Sequence, residues 1–380
     1  MITENNKHLY FYISLIIAVG VISASFHGLG LLKSAPWSIV YSDVLGFFEK
    51  ASAPGFPYID KLIEYPVLTG IFIQIMGFIG GSRAGYYFLS AFFLVFFGII
   101  ATYFLYKIAT EDKDKNKIFL VYWIFAPSML IFFVYNWDIM AILFSIVAFY
   151  FVQKEKNSIA AFFLALGFVS KFFPIIYLPI LLIKQKTIKE WIKIISVFLT
   201  TTVAINGYFA LSNFTGWSYF FSLNNIRNSN PDSIWTVLRF FIFDFSVNQI
   251  NTISLILFVM TFGWLIWRFR KAQFLALCFI ATILFLLFNK VFSPQYVLWL
   301  LPFLTVLPLN IKAPFYVLEF SNLAALFAIL PWFFTKDTGY FYISIPFVII
   351  RHVALFVILI KAIGLARISD NFPEYLDRQK

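Results

Sequence analysis

The side chains that could do chemistry in this 380-residue chain are concentrated in one early polar stretch, at about residues 30–83. Asp43, Glu49, Asp60 and Glu64 lie there among prolines and glycines, whereas almost all of the sequence around them is apolar. Loops that a rigid scaffold positions often carry binding and catalytic residues. We therefore interpret residues 30–83 as a catalytic loop and expect Asp43 to be the catalytic residue.

The elements that must position this loop are membrane helices. Hydrophobic residues make up 61% of the chain and charged residues 12%, and the mean hydropathy is +0.86. In an average soluble domain, roughly a quarter of the residues are charged. A soluble core of this size could not bury so much apolar surface, whereas lipid accepts helices that are apolar all round. Composition therefore predicts an all-α integral membrane protein with a single domain over residues 1–380.

Charge and cysteine content argue against several other classes of protein. The net charge of +11 does not require a nucleic-acid partner, because the cytoplasmic loops of membrane proteins collect Lys and Arg. Cys278 is the only cysteine, so there is no disulfide framework, and His8, His27 and His352 are too widely separated for a histidine-rich metal motif. We predict no cofactor, and nothing in the pattern supports a divalent metal.

Apolar runs of the sequence predict a helical bundle of about twelve spans. The runs lie at residues 9–29, 84–107, 117–134, 137–153, 158–171, 172–184, 191–212, 249–268, 272–288, 294–309, 313–333 and 340–361. We place a shorter run, residues 65–80, in the outer interface, because cytoplasmic loops then hold seventeen basic residues against nine outside. This predicts a multi-pass protein of the cell membrane, or of the endoplasmic reticulum in a eukaryote, with both termini cytoplasmic and Asp43 on the outer face.

A lysine stands where two neighbouring short runs, 158–171 and 172–184, meet. Each run is shorter than the roughly twenty residues that cross a bilayer, so we expect a polar turn below the outer surface. A lysine at such a depth is unfavourable unless it faces water or an anion. Lys171 is therefore a candidate phosphate ligand, and the alternative is that its ammonium extends to the lipid headgroups.

Two further outer turns carry candidate binding residues. Lys290 is a second candidate anion ligand, and Gln295 and Tyr296 follow it in the same turn. Asp138 begins a span from the outside and is a candidate substrate-binding residue. We interpret its neighbour Trp137 as an aromatic residue of the membrane interface, a common position for tryptophan, and the alternative is a residue that stacks on a sugar.

A second polar segment, residues 213–248, is interpreted as another outer loop. Arg227 within it could hold a phosphate, and the alternative is a solvated loop arginine. Ser233 is placed to cap the helix that follows it. Residues 213–215 match the sequon for N-glycosylation.

The remaining candidates lie beside Asp43 and in the last span. Tyr41 and Glu64 belong to the early polar stretch, and for Glu64 substrate binding and a structural role in the loop are both open. Arg351 and His352 lie midway along the last span and must face the bundle interior or a cavity, because ionisable groups are unfavourable in lipid. We take His352 as a candidate substrate-binding residue.

Several of these motifs, taken in order, resemble a known family. The motifs are Tyr41-Ser42-Asp43-Val44, Gly55-Phe56-Pro57-Tyr58, Glu64-Tyr65-Pro66-Val67-Leu68, the run from Lys171 to Pro179, and the run from Phe288 to Trp299. The first three are similar to the first outer loop of GT-C glycosyltransferases. The last two resemble the catalytic subunit of glycosylphosphatidylinositol mannosyltransferase I and the bacterial polyprenyl-phosphate-mannose-dependent mannosyltransferases. Leu45 stands where the eukaryotic enzyme has a second aspartate, which leaves Asp43 alone.

The resemblance implies a GT-C-like bundle that moves a sugar, with mannose expected, from a polyprenyl or dolichyl phosphate to a hydroxyl of a lipid or glycan acceptor, with inversion. Such a transfer needs a carboxylate to take the acceptor proton and cations to stabilise the departing phosphate. Asp43 is expected to supply the first, and Lys171, Lys290 and Arg227 the second. A donor dissolved in membrane lipid needs no nucleotide-binding fold, and no Gly-rich phosphate loop is found in the sequence.

A multi-pass transporter or lipid flippase is the alternative from another class of protein. Many spans with buried cations also suit the passage of a substrate through the membrane. Against it, the sequence has no evident inverted repeat, and the pair of short runs around Lys171 occurs once.

Overall fold

A computed structural model of the chain describes residues 4–32, 34–110 and 120–371. These residues form helices and no strand, with one isolated bridge between Pro57 and Lys61. Lys33, the start of the predicted span at 117–134 and three of the lysines in the charge count, Lys113, Lys115 and Lys117, lie outside the described residues. The chain divides into two compact units, Met1–Asn224 and Asn225–Lys380.

The first unit holds the early polar stretch and the helices that support it. Its helices are α1 (Glu4–Gly28), α2 (Trp37–Val40), α3 (Asp43–Gly46), α4 (Phe48–Ser52), α5 (Val67–Gly80), α6 (Arg83–Thr110), α7 (Val121–Ile124), α8 (Pro127–Phe132), α9 (Asp138–Gln153), α10 (Asn157–Ser170), α11 (Tyr177–Ile183), α12 (Ile188–Ser212) and most of α13 (Phe214–Ile226), with 3-10 turns at Leu29–Leu31 and Phe173–Ile176. In its core, α6 packs against α1 and α9, and α10 packs against α9 and α12.

The second unit is built around two long helices that pack along each other. Its helices are α14 (Ile234–Phe241), α15 (Val247–Arg268), α16 (Phe274–Phe288), α17 (Leu301–Val306), α18 (Lys312–Thr335) and α19 (Thr338–Asn371), with a 3-10 helix at Pro294–Trp299. Both α14 and α16 pack on α19. As predicted, the Ser233 hydroxyl caps α14 by accepting the amide of Thr236. The segment predicted as the second outer loop is therefore largely helical.

Hydropathy and length identify the membrane helices. Six described helices are long and apolar enough to cross a membrane: Lys7–Leu31, Arg83–Thr110, Ile188–Ser212, Val247–Arg268, Lys312–Thr335 and Thr338–Asp370. Six shorter apolar helices accompany them: Val67–Gly80, Asp138–Gln153, Asn157–Ser170, Phe173–Ile183, Phe274–Phe288 and Pro294–Val306. The prediction of an all-α polytopic membrane bundle is confirmed. The predicted orientation of the termini remains a prediction.

The break predicted at Lys171 is present. Helix α10 ends at Ser170, and the backbone of Lys171 is extended before the chain resumes as a 3-10 turn. Pro174 lies at the start of that turn, where its missing amide hydrogen leaves no partner unsatisfied. The short runs on the two sides of Lys171 are thus two separate helical segments.

The polar stretch between α4 and α5 is fixed by a buried tyrosine with unusual backbone geometry. Tyr58 has a φ of 65°, and its hydroxyl donates to the carbonyls of Tyr65 at 2.8 Å and Pro66 at 2.9 Å. A Cβ at Gly70 would collide with this hydroxyl, and one at Gly216 would collide with the Tyr58 carbonyl. Only glycine at these two positions allows α5 and α13 to approach Tyr58 so closely.

The asparagine of the glycosylation sequon takes part in the same contact. The Asn213 amide donates to the carbonyl of Ile59 at 2.9 Å, and its Oδ1 accepts the amide of Gly216 at 3.0 Å. A glycan would attach to this same nitrogen, one hydrogen of which is already donated to Ile59. The side chain therefore serves to hold the polar stretch against the start of α13.

Candidate active site

The carboxylate of Asp43 is the centre of the polar cluster in the first unit. Asp43 begins α3, and the hydroxyl of Ser42 caps this short helix by accepting the amide of Leu45 at 3.2 Å. The amide of Val44 donates to the carbonyl of Tyr135 at 3.2 Å, which fixes α3 against the segment before α9. Asp43 thus sits on a rigid turn and remains partly exposed.

Two tyrosines hold the carboxylate of Asp43 through both of its oxygens. The Tyr41 hydroxyl donates to Oδ1 at 3.0 Å and the Tyr65 hydroxyl donates to Oδ2 at 3.2 Å. Because the carboxylate accepts from both phenols, its plane is fixed and its charged form is stabilised. The negative charge of Asp43 in turn raises the pKa of Tyr41, which keeps that phenol protonated as a donor.

A buried ion pair lies beside this carboxylate. The Nζ of Lys171 is 2.5 Å from Oδ1 of Asp138, whose side chain is fully buried. The ammonium also lies over the ring of Tyr65, 5.1 Å from its centroid. The structure therefore brings together four residues that the sequence analysis selected separately: Tyr41, Asp43, Asp138 and Lys171.

The charges in this cluster act on Asp43 in opposite directions. Burial raises the pKa of the Asp43 carboxyl and Asp138 adds to that increase, whereas the bonds from Tyr41 and Tyr65 and the charge of Lys171 lower it. Two carboxylates face one ammonium, so the cluster keeps an excess of negative charge. This arrangement can accept a proton from an incoming hydroxyl and is less suited to holding an anion.

The side chain of Trp137 is covered by protein, whereas the sequence led us to expect an aromatic residue that faces the lipid headgroups. It is 2% exposed, and its ring packs edge-on against Tyr65, with centroids 4.9 Å apart, and against Phe47 at 5.3 Å. The interpretation failed because position at the end of an apolar run does not reveal which side of the helix is covered. Trp137 packs against the ring of Tyr65 and so helps to fix the position of that ring.

Glu64 has a partner within the loop itself. Its carboxylate forms an ion pair with the ammonium of Lys50, and both side chains are partly exposed. Lys61 donates to the carbonyls of Lys50 and Ala53 at 2.8 and 2.7 Å. These bonds tie α4 to the segment that leads into Tyr65, which favours the structural role for Glu64.

A second cluster, in the other unit, is formed by Lys290 and Arg227. Lys290 is 6% exposed, and its ammonium donates to the carbonyl of Asn225 at 3.2 Å. Arg227 donates to Oδ1 of Asn230 at 2.9 Å, and the backbone amide of Asn230 donates to the carbonyl of Lys290 at 2.9 Å. Burial, and then the charge of Arg227, lowers the pKa of Lys290 to about 8. The chain therefore holds two cations close together, an arrangement that an anion would stabilise.

Of the other candidates in this turn, Gln295 is buried and Tyr296 is half-buried. The Ser293 hydroxyl accepts a hydrogen bond from the side-chain amide of Asn230 at 3.2 Å. Gln295 is 6% exposed on the 3-10 helix that follows. The ring of Tyr296 stacks on Trp299 with centroids 4.0 Å apart. These contacts fix the backbone from which the Lys290 side chain extends.

Arg351 and His352 face the interior of the second unit, as predicted. Arg351 is fully buried, and it donates to Oδ1 of Asn322 at 2.9 Å and to the backbone carbonyl of Asp232. Its guanidinium lies 3.6 Å from the Asp232 carboxylate and covers the ring of Phe292 at 3.9 Å. His352 donates from Nδ1 to the carbonyl of Val348 at 2.7 Å. This network fixes the segment between Arg227 and α14 onto α19.

Sequence reasoning did not select Tyr65 or Asp232 as site residues. Tyr65 stands next to Glu64 in one of the motifs that resemble the family. Its place in that motif could have identified Tyr65 as a candidate. For Asp232, the buried Arg351 was the signal, because an arginine within a span requires an acidic or carbonyl partner. Among the described residues, no group of three or more His, Cys, Asp or Glu side chains could hold a metal ion.

Comparison with known proteins identifies relatives of the chain. A family model described as glycosyltransferase family 87 matches residues 64–294. GPI mannosyltransferase 1 of Candida albicans is 23% identical over 298 residues, which cover 70% of this chain and 72% of the relative. GPI mannosyltransferase 1 of Kluyveromyces lactis is 24% identical over 316 residues, 76% of each chain. The family match includes Lys171 and Lys290 and begins after Asp43.

Proposed function

The chain belongs to glycosyltransferase family 87, and on that premise we propose that it transfers mannose from a polyprenyl or dolichyl phosphate to an acceptor hydroxyl on the outer face of the membrane. Mannose as the sugar is supported by the relatives named GPI mannosyltransferase 1. The transporter or flippase alternative is not retained, because the family is one of glycosyltransferases. A glycosyltransferase forms a covalent product, whereas a transporter or flippase moves its substrate unchanged.

Asp43 is the general base of this proposal, and its two tyrosine bonds are the observation that carries it. The acceptor oxygen forms a bond to the anomeric carbon while its proton passes to the Asp43 carboxylate. The bond from that carbon to the phosphate oxygen breaks, and attack from the opposite side inverts the configuration. A carboxylate fixed at both oxygens is oriented for such a step, which in enzymes is worth about 10²- to 10⁴-fold in rate.

Lys171 and Asp138 act on the same carboxylate. Lys171 is held by Asp138 at 2.5 Å, so its charge serves first to balance the two carboxylates and to favour the ionised form of Asp43. Sequence reasoning assigned Lys171 to the donor phosphate. Its acidic surroundings favour instead a role as a positioning residue for Asp43.

Lys290 and Arg227 are the phosphate ligands of the proposal. Both are cationic, and Arg227 lowers the pKa of Lys290, so a negatively charged ligand would relieve their mutual repulsion. A departing phosphate gains negative charge as the sugar leaves, and cations stabilise that charge most in a dehydrated site. Gln295, Tyr296 and His352 are proposed as neighbours of the bound donor.

Transfer of radiolabelled mannose tests the proposal directly. Membranes that contain the protein are incubated with labelled polyprenyl-phosphate mannose, and product is separated from donor by chromatography. Asp43→Asn should reduce transfer by at least about 100-fold. Glu49→Gln is the matched control, because Glu49 is an exposed acid of the same polar stretch. Full transfer by Asp43→Asn would remove Asp43 from the mechanism.

A further inference from the structure

Arg351 of α19 contacts both of the chain segments that carry the proposed phosphate ligands. The first segment, residues 225–233, holds Arg227, and the second, residues 288–295, holds Lys290. Two cations that bind one phosphate must converge on it, and a displacement of about 1 Å can cost 100-fold in rate. The spacing of the two segments is therefore a property that the fold has to fix.

Arg351 holds the first segment through Asp232. Its Nη2 donates to the backbone carbonyl of Asp232, and its Nη1 lies 3.6 Å from the Asp232 carboxylate. Both side chains are buried, so this pair is shielded from water. Within the segment, the Asn230 side chain accepts a hydrogen bond from Arg227 at 2.9 Å, and the amide of Ser233 donates to the carbonyl of Asn230 at 2.9 Å. Arg351 thus fixes the turn to which Arg227 is bonded.

The same guanidinium holds the second segment by two routes. It covers the ring of Phe292, 3.9 Å from the centroid, and Phe292 is two residues after Lys290. The second route runs through Asn322 of α18. This side chain accepts from Nη1 of Arg351 at 2.9 Å and donates to the carbonyl of Pro294 at 2.9 Å.

Repulsion between the two cations opposes this arrangement. Burial, and then the charge of Arg227, lowers the pKa of Lys290 to about 8. The charge of Arg227 also acts on Asp232, the carboxylate that is paired with Arg351. Because like charges repel, bonds from a third group are needed to keep the two segments together when no anion lies between them.

We propose that Arg351 is a positioning residue that sets the distance between Arg227 and Lys290 and so shapes the site for the donor phosphate. The inference rests on the proposed function, which makes these two cations the phosphate ligands, and it adds the residue that holds them in place. Arginine suits this task because its planar guanidinium has donors in a fixed fork and a face that stacks on aromatic rings.

Two variants remove this support in different ways. Arg351→Lys keeps a positive charge beside Asp232 and removes both the fork and the flat face, so the carboxylate is not left buried without a counter-charge. Asn322→Leu removes the bonds to Arg351 and Pro294 and leaves the guanidinium in place.

Each variant has a control in the same unit. Arg239→Lys makes the same change in a pair whose acid, Asp244, is 84% exposed. Ser321→Ala changes the neighbour of Asn322 in α18, and its hydroxyl bonds carbonyls of its own helix. Both controls should behave as the wild-type protein does in the measurements below.

The pKa of Lys290 reports its distance from Arg227 without any turnover. Reductive methylation of the full-length protein in detergent modifies the uncharged amine, so its rate at Lys290, measured by mass spectrometry against the exposed Lys361, has a midpoint in pH. In the wild-type protein this midpoint should lie at about 8. In Arg351→Lys and in Asn322→Leu, Arg227 moves away, and the midpoint should rise by about half a unit to one unit. An unchanged midpoint in Arg351→Lys overturns the proposal.

Polyprenyl phosphate tests whether the same spacing serves a phosphate. In the wild-type protein it should slow methylation of Lys290, and polyprenol, which lacks the phosphate, should not. In Arg351→Lys, half-maximal protection should need at least about 10-fold more polyprenyl phosphate, because two displaced cations no longer converge on one anion. Equal protection of the wild-type protein and Arg351→Lys would show that Arg351 does not shape the phosphate site.

The outcomes separate this inference from the proposed function. Normal transfer of mannose with an unchanged midpoint in Arg351→Lys would leave the function intact and overturn the inference. If the wild-type protein transfers no mannose and polyprenyl phosphate does not protect Lys290, the proposed function fails. In that case the midpoint alone decides whether Arg351 sets the spacing of the two cations, and a rise in both variants supports it.

Discussion

Lys171 and Asp138 form an ion pair with 2.5 Å between Nζ and Oδ1, and the carboxylate is fully buried. The two residues are brought together where α10 ends and α9 begins, next to the rings of Tyr65 and Trp137. Their pairing explains how the chain tolerates an ionised acid and a lysine at the end of two short apolar helices. It also places a fixed positive charge near Asp43.

Breaking this pair should destabilise the protein. Lys171→Met leaves Asp138 buried without its counter-charge, and loss of one partner of a buried pair costs about 3–5 kcal/mol. The double variant Lys171→Met with Asp138→Asn should recover part of that loss, because no uncompensated charge remains. Thermal unfolding of the detergent-solubilised protein measures the effect. Losses that simply add in the double variant would show that the two residues act independently.

The two tyrosines should set the pH at which Asp43 becomes active. Tyr65→Phe or Tyr41→Phe removes a hydrogen bond to the carboxylate, which is worth about 1.5–3 kcal/mol when the acceptor is charged. The pKa of Asp43 should therefore rise further, and since the base must be ionised, the acidic limb of kcat/KM should move to higher pH by about one to two units.

Tyr208→Phe is the control for the tyrosine variants, because Tyr208 is 67% exposed. It should leave the pH profile unchanged. A uniform loss of rate at every pH in the Tyr65 and Tyr41 variants would instead indicate that the phenols only support the fold.

Lys290 should limit binding of the donor at high pH. Its pKa is lowered to about 8, first by burial and then by Arg227, so it loses its charge as the pH rises through that value. If the ammonium binds the donor phosphate, kcat/KM for the donor should fall above pH 8. Lys290→Arg keeps a positive charge in that range, because arginine is not deprotonated, and the fall should disappear.

Lys361→Arg is the matched control for Lys290→Arg, since Lys361 is an exposed lysine in the same unit. This variant should keep the wild-type alkaline limb. An alkaline fall that persists in Lys290→Arg would exclude Lys290 as its cause.

A buried and an exposed arginine pair of the second unit should differ in their effect on stability. Arg351→Met removes the fully buried partner of Asp232 and should cost about 3–5 kcal/mol. Arg239→Met breaks a pair with Asp244, which is 84% exposed, and should cost less than about 1 kcal/mol. Thermal unfolding compares the two variants. Equal shifts of their melting temperatures would contradict the structural role of Arg351.

Much of the fold follows from local sequence patterns. Apolar runs predicted helices because a backbone in lipid must satisfy its own hydrogen bonds. The polar residue between two short runs predicted the break at Lys171, and the serine before an aromatic run predicted the cap of α14. Asp43 was selected because it is an acid in a polar stretch that resembles a family motif.

The partners of these residues were decided by tertiary structure alone. Tyr65 reaches Asp43 across 22 positions of the chain, and Arg351 reaches Asp232 across 119. A sequence pattern states that a buried charge needs a partner, but many residues could serve. The choice depends on which helix faces pack together, as when Gly70 and Gly216 admit Tyr58 and thereby set the position of Tyr65. Local propensity determined the helices of this protein, whereas close packing between distant segments determined the candidate site.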